Sequence, residues 1–390
     1  MTRVPELRFD AFDGEWEEKK VSDIGKITAG GDINKSIIKD KGKYPVIANG
    51  DNNNGIVGYY DFDYKIEGPA VTISARGNIG TAVARNYNFT PVVRLLTLKT
   101  DHNIYFTAEN LNRLKIFNES TGVAQLTSPQ LSLYKISVPT ILEQEKIGGL
   151  FIKIDQLIES QQALVDQTKA FKKSMLQKMF PKKDSLVPEF RFDGFIKDWD
   201  NSKLGKLVNV TSVKRVMQSD WKNNGVPFLR ARDIVAFKEG KEIEDKLYIS
   251  HDLYEEYSKI SGKVNKGDIL LTGVGSIGIP FLIDNDNPVY FKDGNIIWLV
   301  NDRKFNGYYL YYYFYTPNVR NYIKRTSGRG TVETLTIINT KNMKINYPEI
   351  EEQEKIGNFF KNLDEKIASE EKLLEAYKDM KKSLLQKMFV

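Results

Sequence analysis

The chain has 390 residues, of which 41% are hydrophobic, and this is enough material for two or three domains with buried cores. It contains no cysteine, which excludes disulfide bonds, thiolate metal sites and a cysteine nucleophile. No apolar run approaches the roughly 20 residues that span a bilayer, and the first ten residues lack the apolar segment of a signal peptide. We therefore expect a cytoplasmic protein.

The net charge of +6 suits contact with phosphate groups, but an excess of this size also occurs in proteins without a nucleic-acid partner. Residues 141–180 carry a summed charge of +1 and residues 351–390 one of −1, so the excess lies in the rest of the chain. Those remaining parts are the better candidates for binding an anion.

The sequence contains a repeat with two conserved ends. VPELRFDAFDGEW begins at Val4 and VPEFRFDGFIKDW at Val187, an offset of 183 residues. A longer pair begins with EQEKIG at Glu143 and Glu352, an offset of 209, so the second copy holds 26 additional residues. A duplicated frame around different interiors is expected of two related modules that bind different ligands. The alternative is a duplication whose interiors drifted without selection.

The first interior alternates short β-branched runs, such as residues 68–74, with turns rich in glycine, asparagine and aspartate. This pattern predicts an α+β domain built on a curved sheet.

Arginine pairs with guanine, and asparagine or glutamine with adenine, whereas lysine and serine more often hold phosphates. Taken singly, each such residue is more often part of an ordinary surface turn. The candidate DNA-binding residues of this interior are Asn52, Asn53, Asn54, Arg76, Asn78 and Gln125.

A long helix is predicted after Pro139, since Thr140 and Glu143 form a capping-box pattern and Pro181 cannot continue a helix. Additional apolar residues at Phe151 and Ile158 widen its apolar stripe, which predicts a second surface to bury. The residues assigned to the a and d positions of a coiled-coil heptad are Ile147, Leu150, Ile154, Leu157, Leu164, Phe171 and Met175.

The second interior likewise mixes short β-branched runs, such as residues 267–273, with turns rich in glycine, asparagine and aspartate, and its polar turns again carry basic residues. Recurrence in both copies favours a functional interpretation over that of ordinary surface turns. The candidate DNA-binding residues of this interior are Arg230, Arg232, Ser276, Lys324, Arg325, Arg329 and Thr331.

Two patterns in the second interior are typical of enzymes. GVGSIG at residues 273–278 matches a dinucleotide-binding fingerprint, but IPFLI follows it where a helix is required, so we predict a turn between strands. Asn287 to Tyr290 resembles an adenine-methyltransferase signature, but it begins only nine residues after Gly278. There is no phosphate-binding loop, and neither of the two histidines has a ligand partner nearby in sequence. We predict a non-catalytic chain that binds no metal.

The aromatic run at residues 308–315 has two interpretations. It is either a stacking platform for single-stranded bases or a buried helix that ends before Pro317. Consecutive aromatic residues cannot all face one side of a helix or strand, and this favours the buried helix.

The second long helix repeats the heptad pattern of the first, and antiparallel pairing of the two would bury both apolar stripes. Gln161 and Glu370 fall at equivalent a positions, where they either fix the register of the pair or remain partly solvated. The a and d residues of this helix are Ile356, Phe359, Leu363, Leu373, Tyr377, Met380 and Leu384, with Phe360, Ile367 and Leu374 beside them.

Over nearly its whole length the chain resembles the specificity subunits of type I restriction-modification enzymes. The resemblance is carried by EQEKI after Pro139 and Pro348, the helix ends SMLQKMFP and SLLQKMF, the PELRFDGF-like starts, and the GxIG turns at residues 77–80 and 275–278. One departure is Glu349, which stands where the first copy has Thr140, so the second helix does not repeat the capping-box pattern of the first.

The resemblance implies an α+β chain with two pseudo-symmetric target-recognition domains, separated by two long antiparallel coiled-coil helices. The segments expected are a first domain at 1–140, a central helix at 141–180, a linker at 181–186, a second domain at 187–347 and a C-terminal helix at 348–390. Each domain would read one half of an asymmetric bipartite site in double-stranded DNA, and the helices would set the spacer.

The resemblance also implies partners. Two modification subunits would supply S-adenosylmethionine and methylate adenine, and restriction subunits would use ATP and Mg, whereas this chain would bind no cofactor itself. Two alternatives remain: a coiled-coil scaffold that does not read DNA, and a binder of single-stranded nucleic acid.

Overall fold

The computed structural model describes residues 3–50, 52–116, 124–327 and 333–390. The chain divides into two units, which we call unit 1 (Met1–Ala163 with Glu371–Val390) and unit 2 (Leu164–Glu370). The division falls inside both long helices. Each unit therefore contains the start of one long helix and the end of the other.

Unit 1 is an α+β unit with three small sheets. Its strands are β1 (Glu17–Lys20), β2 (Gly25–Ala29), β3 (Tyr44–Ile47), β4 (Ile56–Tyr60), β5 (Ala70–Ile73), β6 (Ala82–Arg85), β7 (Thr90–Pro91), β8 (Leu96–Thr100) and β9 (Lys135–Val138). The four-stranded sheet has the order β2-β8-β5-β6, the three-stranded sheet β4-β3-β7, and β1 pairs with β9. All pairs are antiparallel except β3 with β7.

Unit 2 repeats this topology. Its strands are β10 (Asp200–Lys203), β11 (Asn209–Thr211), β12 (Val226–Leu229), β13 (Tyr248–Ile249), β14 (Ile269–Thr272), β15 (Pro280–Leu282), β16 (Tyr290–Phe291), β17 (Ile296–Val300) and β18 (Lys344–Tyr347). Its sheets have the orders β11-β17-β14-β15, β13-β12-β16 and β10-β18. The duplicated frame is confirmed, but the expectation of one curved sheet per interior is wrong, because the strands of each unit divide among three sheets.

Two helices of unit 2 contribute to the greater length of the second copy. Ala231–Lys238 and His251–Ser261 have no helical counterpart in the described part of unit 1. The helices in chain order are α1 (Val21–Ile24), α2 (Ile104–Asn112), α3 (Ser128–Leu133), α4 (Ile141–Lys178), α5 (Leu204–Leu207), α6 (Ala231–Lys238), α7 (His251–Ser261), α8 (Gly307–Tyr313), α9 (Pro317–Thr326), α10 (Ile337–Asn342) and α11 (Ile350–Met388). None of those within the described ranges is long and apolar enough to cross a membrane.

The core of each unit includes the Met-Phe end of a long helix. In unit 1, Phe389 after α11 lies 5.2 Å from Phe106 and 6.0 Å from Trp16, measured between ring centroids. In unit 2, Phe180 after α4 lies 6.2 Å from Trp199 and 5.9 Å from Phe360. Each copy of the repeat therefore completes its core with the helix end of the other copy.

The two long helices run antiparallel within each unit. In unit 1, Lys381 of α11 contacts Asp155 of α4 at 2.7 Å, while Phe389 contacts the earlier residue Phe151 at 5.7 Å. In unit 2 the equivalent pair is Lys172 with Asp364. The predicted antiparallel pairing is confirmed.

The heptad assignment of these helices is half correct. The a positions Ile147 and Ile154 are buried, but the predicted d positions Leu157, Leu164 and Phe171 are 46%, 40% and 46% exposed. On α11 the same holds for Leu373 and Met380. The buried second row follows the a position by four residues, at Phe151, Val165, Phe360, Ile367 and Leu374. Both phases fit the sequence because Leu150 and Phe151 are both apolar.

The aromatic run forms α8 and the residues after it. Tyr309, Tyr312, Tyr313 and Phe314 are buried in the core of unit 2, and Pro317 starts α9. The interpretation as a buried helix is confirmed, so the aromatic run does not support a stacking platform for single-stranded bases.

The EQEKIG motif fixes the start of each long helix to the globular part of the same unit. In unit 1, the buried carboxylate of Glu143 accepts two hydrogen bonds of 2.8 Å from Arg8, and in unit 2, Glu352 accepts bonds of 2.8 and 2.7 Å from Arg191. The backbone nitrogen of Glu143 lies 3.4 Å from Thr140 Oγ1. The predicted capping box is therefore wrong in its second half, because the Glu143 side chain binds Arg8 instead of returning to Thr140.

The glutamine and glycine of the motif contact the N-cap residue of a short helix in the same unit. Gln144 Oε1 accepts a hydrogen bond of 3.3 Å from the backbone of Asn103, whose side chain caps α2. A Cβ atom on Gly148 would lie 2.2 Å from Asn103 Oδ1. Gln353, Gly357 and Asn306 repeat this arrangement in unit 2. The motif is thus explained by packing rather than by ligand binding.

Candidate nucleic-acid interface

In unit 1, a tight turn joins β5 to β6 and carries Arg76 and Asn78. Ser74 accepts a hydrogen bond of 2.8 Å from the backbone of Gly80, whose φ is 90°. A Cβ atom on Gly80 would lie 2.5 Å from Ile116 Cδ1, so the turn is packed against residues that follow α2. Arg76 is half-buried beside the tip, and Asn78 is exposed at it.

Two other candidate segments are bonded to this turn through Ala75. The side chain of Asn49 accepts a hydrogen bond of 2.7 Å from the Ala75 nitrogen, and the Leu126 nitrogen donates one of 3.0 Å to the Ala75 oxygen. Gln125 precedes Leu126, and the exposed turn of Asn52–Gly55 follows Asn49 by three residues. The structure therefore brings the three predicted segments of unit 1 together.

The Asn52–Gly55 turn is held from beneath by a buried arginine that the sequence analysis did not single out. Arg85, at 4% exposed, donates hydrogen bonds of 2.7 Å to the Asn54 oxygen and 3.2 Å to Thr72 Oγ1. It lines a cavity of about 200 Å³ beside Asn54. Asn53 and Asn54 have φ values of 51° and 53°, a left-handed conformation that asparagine tolerates. The sequence signal for this role was the presence of an arginine in the otherwise apolar strand β6.

In unit 2, the turn between β14 and β15 repeats the turn that carries Asn78, and Ser276 is exposed on it. Thr272 accepts a hydrogen bond of 2.7 Å from the backbone of Gly278, whose φ is 67°. A Cβ atom on Gly278 would lie 2.5 Å from Ile323 Cδ1. Strand β15 follows where a dinucleotide fingerprint needs a helix, so the predicted turn between strands is confirmed.

Arg230 and Arg232 lie at the start of α6. Arg230 is largely buried and forms ion pairs with Asp233 at 2.9 Å and Asp245 at 3.1 Å. The hydrogen bond from Arg230 holds the pKa of Asp245 below its ordinary value. Arg232, which is 61% exposed, also contacts Asp245. The more exposed Arg232 is therefore the better placed of the two for an external ligand, and DNA contact by either stays a prediction.

The remaining candidates are spread over other elements. Lys324 and Arg325 are exposed in the last turn of α9, and Arg329 and Thr331 lie outside the described residues.

Gln161 and Glu370 are 9% and 8% exposed, which disfavours the solvated alternative, and Lys366 lies 3.7 Å from Glu370. Their role in fixing the helix register stays a prediction. Among the residues described, no group of three or more acidic or histidine side chains is arranged to hold a metal ion.

The glycine turn of unit 1 makes a direct test of local packing possible. Gly80→Ala should lower the free energy of unfolding by about 2–3 kcal/mol, because it adds a steric clash to the cost of a positive φ. Gly77 has a φ of 70° but nothing within 4 Å of its Cβ position, so Gly77→Ala should cost about 1 kcal/mol. Urea unfolding of both variants measures the difference, and equal losses would show that Ile116 does not constrain the turn.

The duplicated frame carries different polar residues at equivalent turns, Asn78 in unit 1 and Ser276 in unit 2, as is expected of two related modules that bind different ligands. A family model described as the type I restriction modification DNA specificity domain matches residues 13–169 and 196–378. The chain belongs to this family, and the resemblance stated from the sequence is confirmed.

Three curated proteins illustrate the similarity. A putative type I restriction enzyme specificity subunit of Haemophilus influenzae is 32% identical over 156 residues, which is 40% of this chain and 37% of that protein. A putative specificity subunit of Mycoplasma pneumoniae is 31% identical over 35% of this chain and 39% of its own length. The MjaVIII specificity subunit of Methanocaldococcus jannaschii is 25% identical over 70% and 65%. The match thus spans less than two thirds of each of these relatives.

The fold is also found in solved structures. The S subunit of a type I restriction-modification system from M. genitalium has a TM-score of 0.66 at 16% sequence identity, and the match covers 99% of each chain. At this identity the likeness shows the fold. It confirms the predicted α+β architecture with two repeated units and long antiparallel helices.

Proposed function

We propose that this chain is the DNA-recognition subunit of a type I restriction-modification complex, in which each unit reads one half of an asymmetric bipartite site in double-stranded DNA. The observation that carries the proposal is the meeting of three polar segments around Ala75 in unit 1. Unit 2 repeats the same turn with Ser276 in place of Asn78, as expected of a module that reads a different sequence.

In this proposal the chain itself is non-catalytic and acts in the cytoplasm. Two modification subunits bring S-adenosylmethionine and methylate adenine, and restriction subunits bring ATP and Mg. The exposed apolar residues on the long helices support contact with partner subunits, since such side chains on a helix surface are suited to a further apolar surface. They are Leu157, Leu373 and Met380 in unit 1, and Leu164 and Phe171 in unit 2.

The long helices set the spacer between the half-sites in this proposal. A rigid element of fixed length is suited to that task, and α4 alone has 38 residues, which corresponds to about 57 Å. Modules that dock on one face of a duplex read half-sites about one helical turn apart, roughly 34–36 Å between centres.

The test is the replacement of one interior by a copy of the other. Residues 28–138 and 211–347 begin and end at equivalent positions in β2 with β11 and in β9 with β18. When a chain that carries residues 211–347 in both places is co-expressed with its modification subunits, mapping of methylated adenines should show the half-site of unit 2 at both ends of the target and no half-site of unit 1. The original chain is the control.

Three outcomes would contradict the proposal. A target that keeps the half-site of unit 1 would show that the interiors do not read sequence. Complexes that assemble normally but bind all duplexes equally would favour a coiled-coil scaffold, and a preference for single strands would favour a binder of single-stranded nucleic acid.

A further inference from the structure

Unit 2 contains a basic groove in which Lys324 and Arg325 of α9 lie beside basic residues of two other elements. It is formed by residues 182–186, by α9 and by residues 342–346, and its volume is about 900 Å³. One carboxylate, that of Asp184, lines it. The basic side chains around the groove are Lys182, Lys183, Lys324, Arg325 and Lys344.

Hydrogen bonds hold the walls of the groove in place. Asn318 of α9 donates a hydrogen bond of 2.8 Å to the Pro181 oxygen, and Asn346 of β18 donates one of 2.9 Å to the Ser185 oxygen. The segment that carries Lys182 and Lys183 is thus fixed at both ends. A ligand would meet a groove that is already formed.

Most of the positive charge in the groove is uncompensated within the protein. Lys182 pairs with Glu189 at 2.8 Å, but the described residues contain no ion pair for Lys183, Lys324, Arg325 or Lys344. Residues 328–332, which follow α9 outside the described ranges, contain no acidic residue.

Helix stability alone does not explain this cluster of charges. Lys324 and Arg325 lie in the last turn of α9, where cations are favourable to the helix dipole. Lys183 and Lys344 belong to other elements, yet their exposed side chains line the same groove. Their convergence points to an external anion.

Helix α9 also connects the groove to the turn that carries Ser276. Arg320 donates a hydrogen bond of 2.8 Å to the Gly278 oxygen, and Ile323 packs on the Cα of Gly278. The residues that follow, Lys324 and Arg325, line the groove. A polyanion in the groove would therefore lie beside the helix that supports a candidate base-reading turn.

We propose that this groove binds the phosphate backbone of duplex DNA next to the half-site read by unit 2, a proposal that rests on the function proposed above. Lysine and arginine contacts to phosphate fix the position of a protein on DNA without carrying sequence information. Lys183 and Lys344 are thereby assigned a role distinct from base reading. An acidic segment of a partner subunit is the competing occupant.

The test compares paired lysine variants in the complex with modification subunits. For Lys183→Gln/Lys344→Gln, the slope of log affinity against log salt concentration should fall by about 2, with affinity at moderate salt reduced on the order of tenfold. The loss should be equal for the recognised duplex and for a scrambled duplex, so sequence preference is unchanged. Lys183→Arg/Lys344→Arg should keep the slope of the original chain.

The matched control removes the same charge elsewhere in unit 2. Lys259 and Lys266 are exposed and do not line the groove, so Lys259→Gln/Lys266→Gln should leave the slope unchanged. An equal change in slope for both pairs would show that the groove lysines act only through the net charge of the protein, and it would overturn the proposal.

Other outcomes separate this proposal from the proposed function. An unchanged slope with intact sequence preference would overturn the groove alone. Weaker assembly with the modification subunits, without a change in slope, would assign the groove to an acidic partner segment. If the original complex shows no preference among duplexes, it is the proposed function that fails, since the salt slope is measured without reference to sequence.

Discussion

Arg8→Ala is expected to lower the free energy of unfolding of unit 1 by about 3–5 kcal/mol, because it leaves the buried carboxylate of Glu143 without its charged partner. Glu143 has no exposed surface, and both of its oxygens accept hydrogen bonds from Arg8. Urea titration followed by hydrogen exchange in peptides of unit 1 measures the loss. Arg191→Ala should have the same effect on unit 2 through Glu352.

Two controls separate the buried pair from ion pairs in general. Lys135 and Glu18 are 2.7 Å apart but exposed, so Lys135→Ala should leave the free energy of unfolding nearly unchanged. The double variant Arg8→Met/Glu143→Leu should recover much of the stability, because a buried pair can often be replaced by apolar side chains. A small loss for Arg8→Ala would contradict the assignment of Arg8 as the anchor of α4.

Phe389→Ala is expected to destabilise unit 1 by about 3–5 kcal/mol, the usual cost of deleting a buried phenylalanine. The ring is 4% exposed and contacts Trp16, Phe106 and Phe151, although it is more than 200 residues away from them in sequence. Hydrogen exchange should increase in peptides of residues 3–163, while peptides of residues 187–347 keep their protection.

The neighbouring residue is the control for this prediction. Val390 is 42% exposed, so Val390→Ala should change stability by less than about 0.5 kcal/mol. Exchange that increases only within α11 would mean that the Met-Phe end is not part of the core of unit 1.

The frame was predictable from the sequence because the two copies repeat the residues that hold it together. Arg8 with Arg191 and Trp16 with Trp199 match at one offset, and the two EQEKIG motifs match at another. Repetition marks such residues as structural, but it does not identify their partners. Glu143 was assigned to a local cap, since its true partner Arg8 is 135 residues away.

Helix phase was less predictable than helix position. The proline and capping residues predicted the ends of α4 well. Leu150 and Phe151 allow two heptad phases, and the globular core selects the phase that buries Phe151. A periodic pattern reports which faces are apolar. It does not report which face a distant part of the chain will cover.

The candidate site was predicted as scattered turns, and the structure adds how they are held. Ala75 joins three of them by backbone and side-chain bonds, and Arg85 supports the Asn52–Gly55 turn from inside the unit. The groove of unit 2 was not predicted, because its basic residues come from three separate elements. Lys182 and Lys183 lie more than 100 residues before Lys324 and Arg325 of α9.

Because each unit contains the helix end of the other copy, the two units are completed at different times during synthesis. Unit 2 is continuous from Leu164 to Glu370, whereas unit 1 needs Glu371–Val390 to complete its core. At a ribosomal rate of about 5–20 residues per second, residues 164–370 take roughly 10–40 s to make. Unit 1 is therefore started first but completed last, and its core lacks Phe389 throughout that interval.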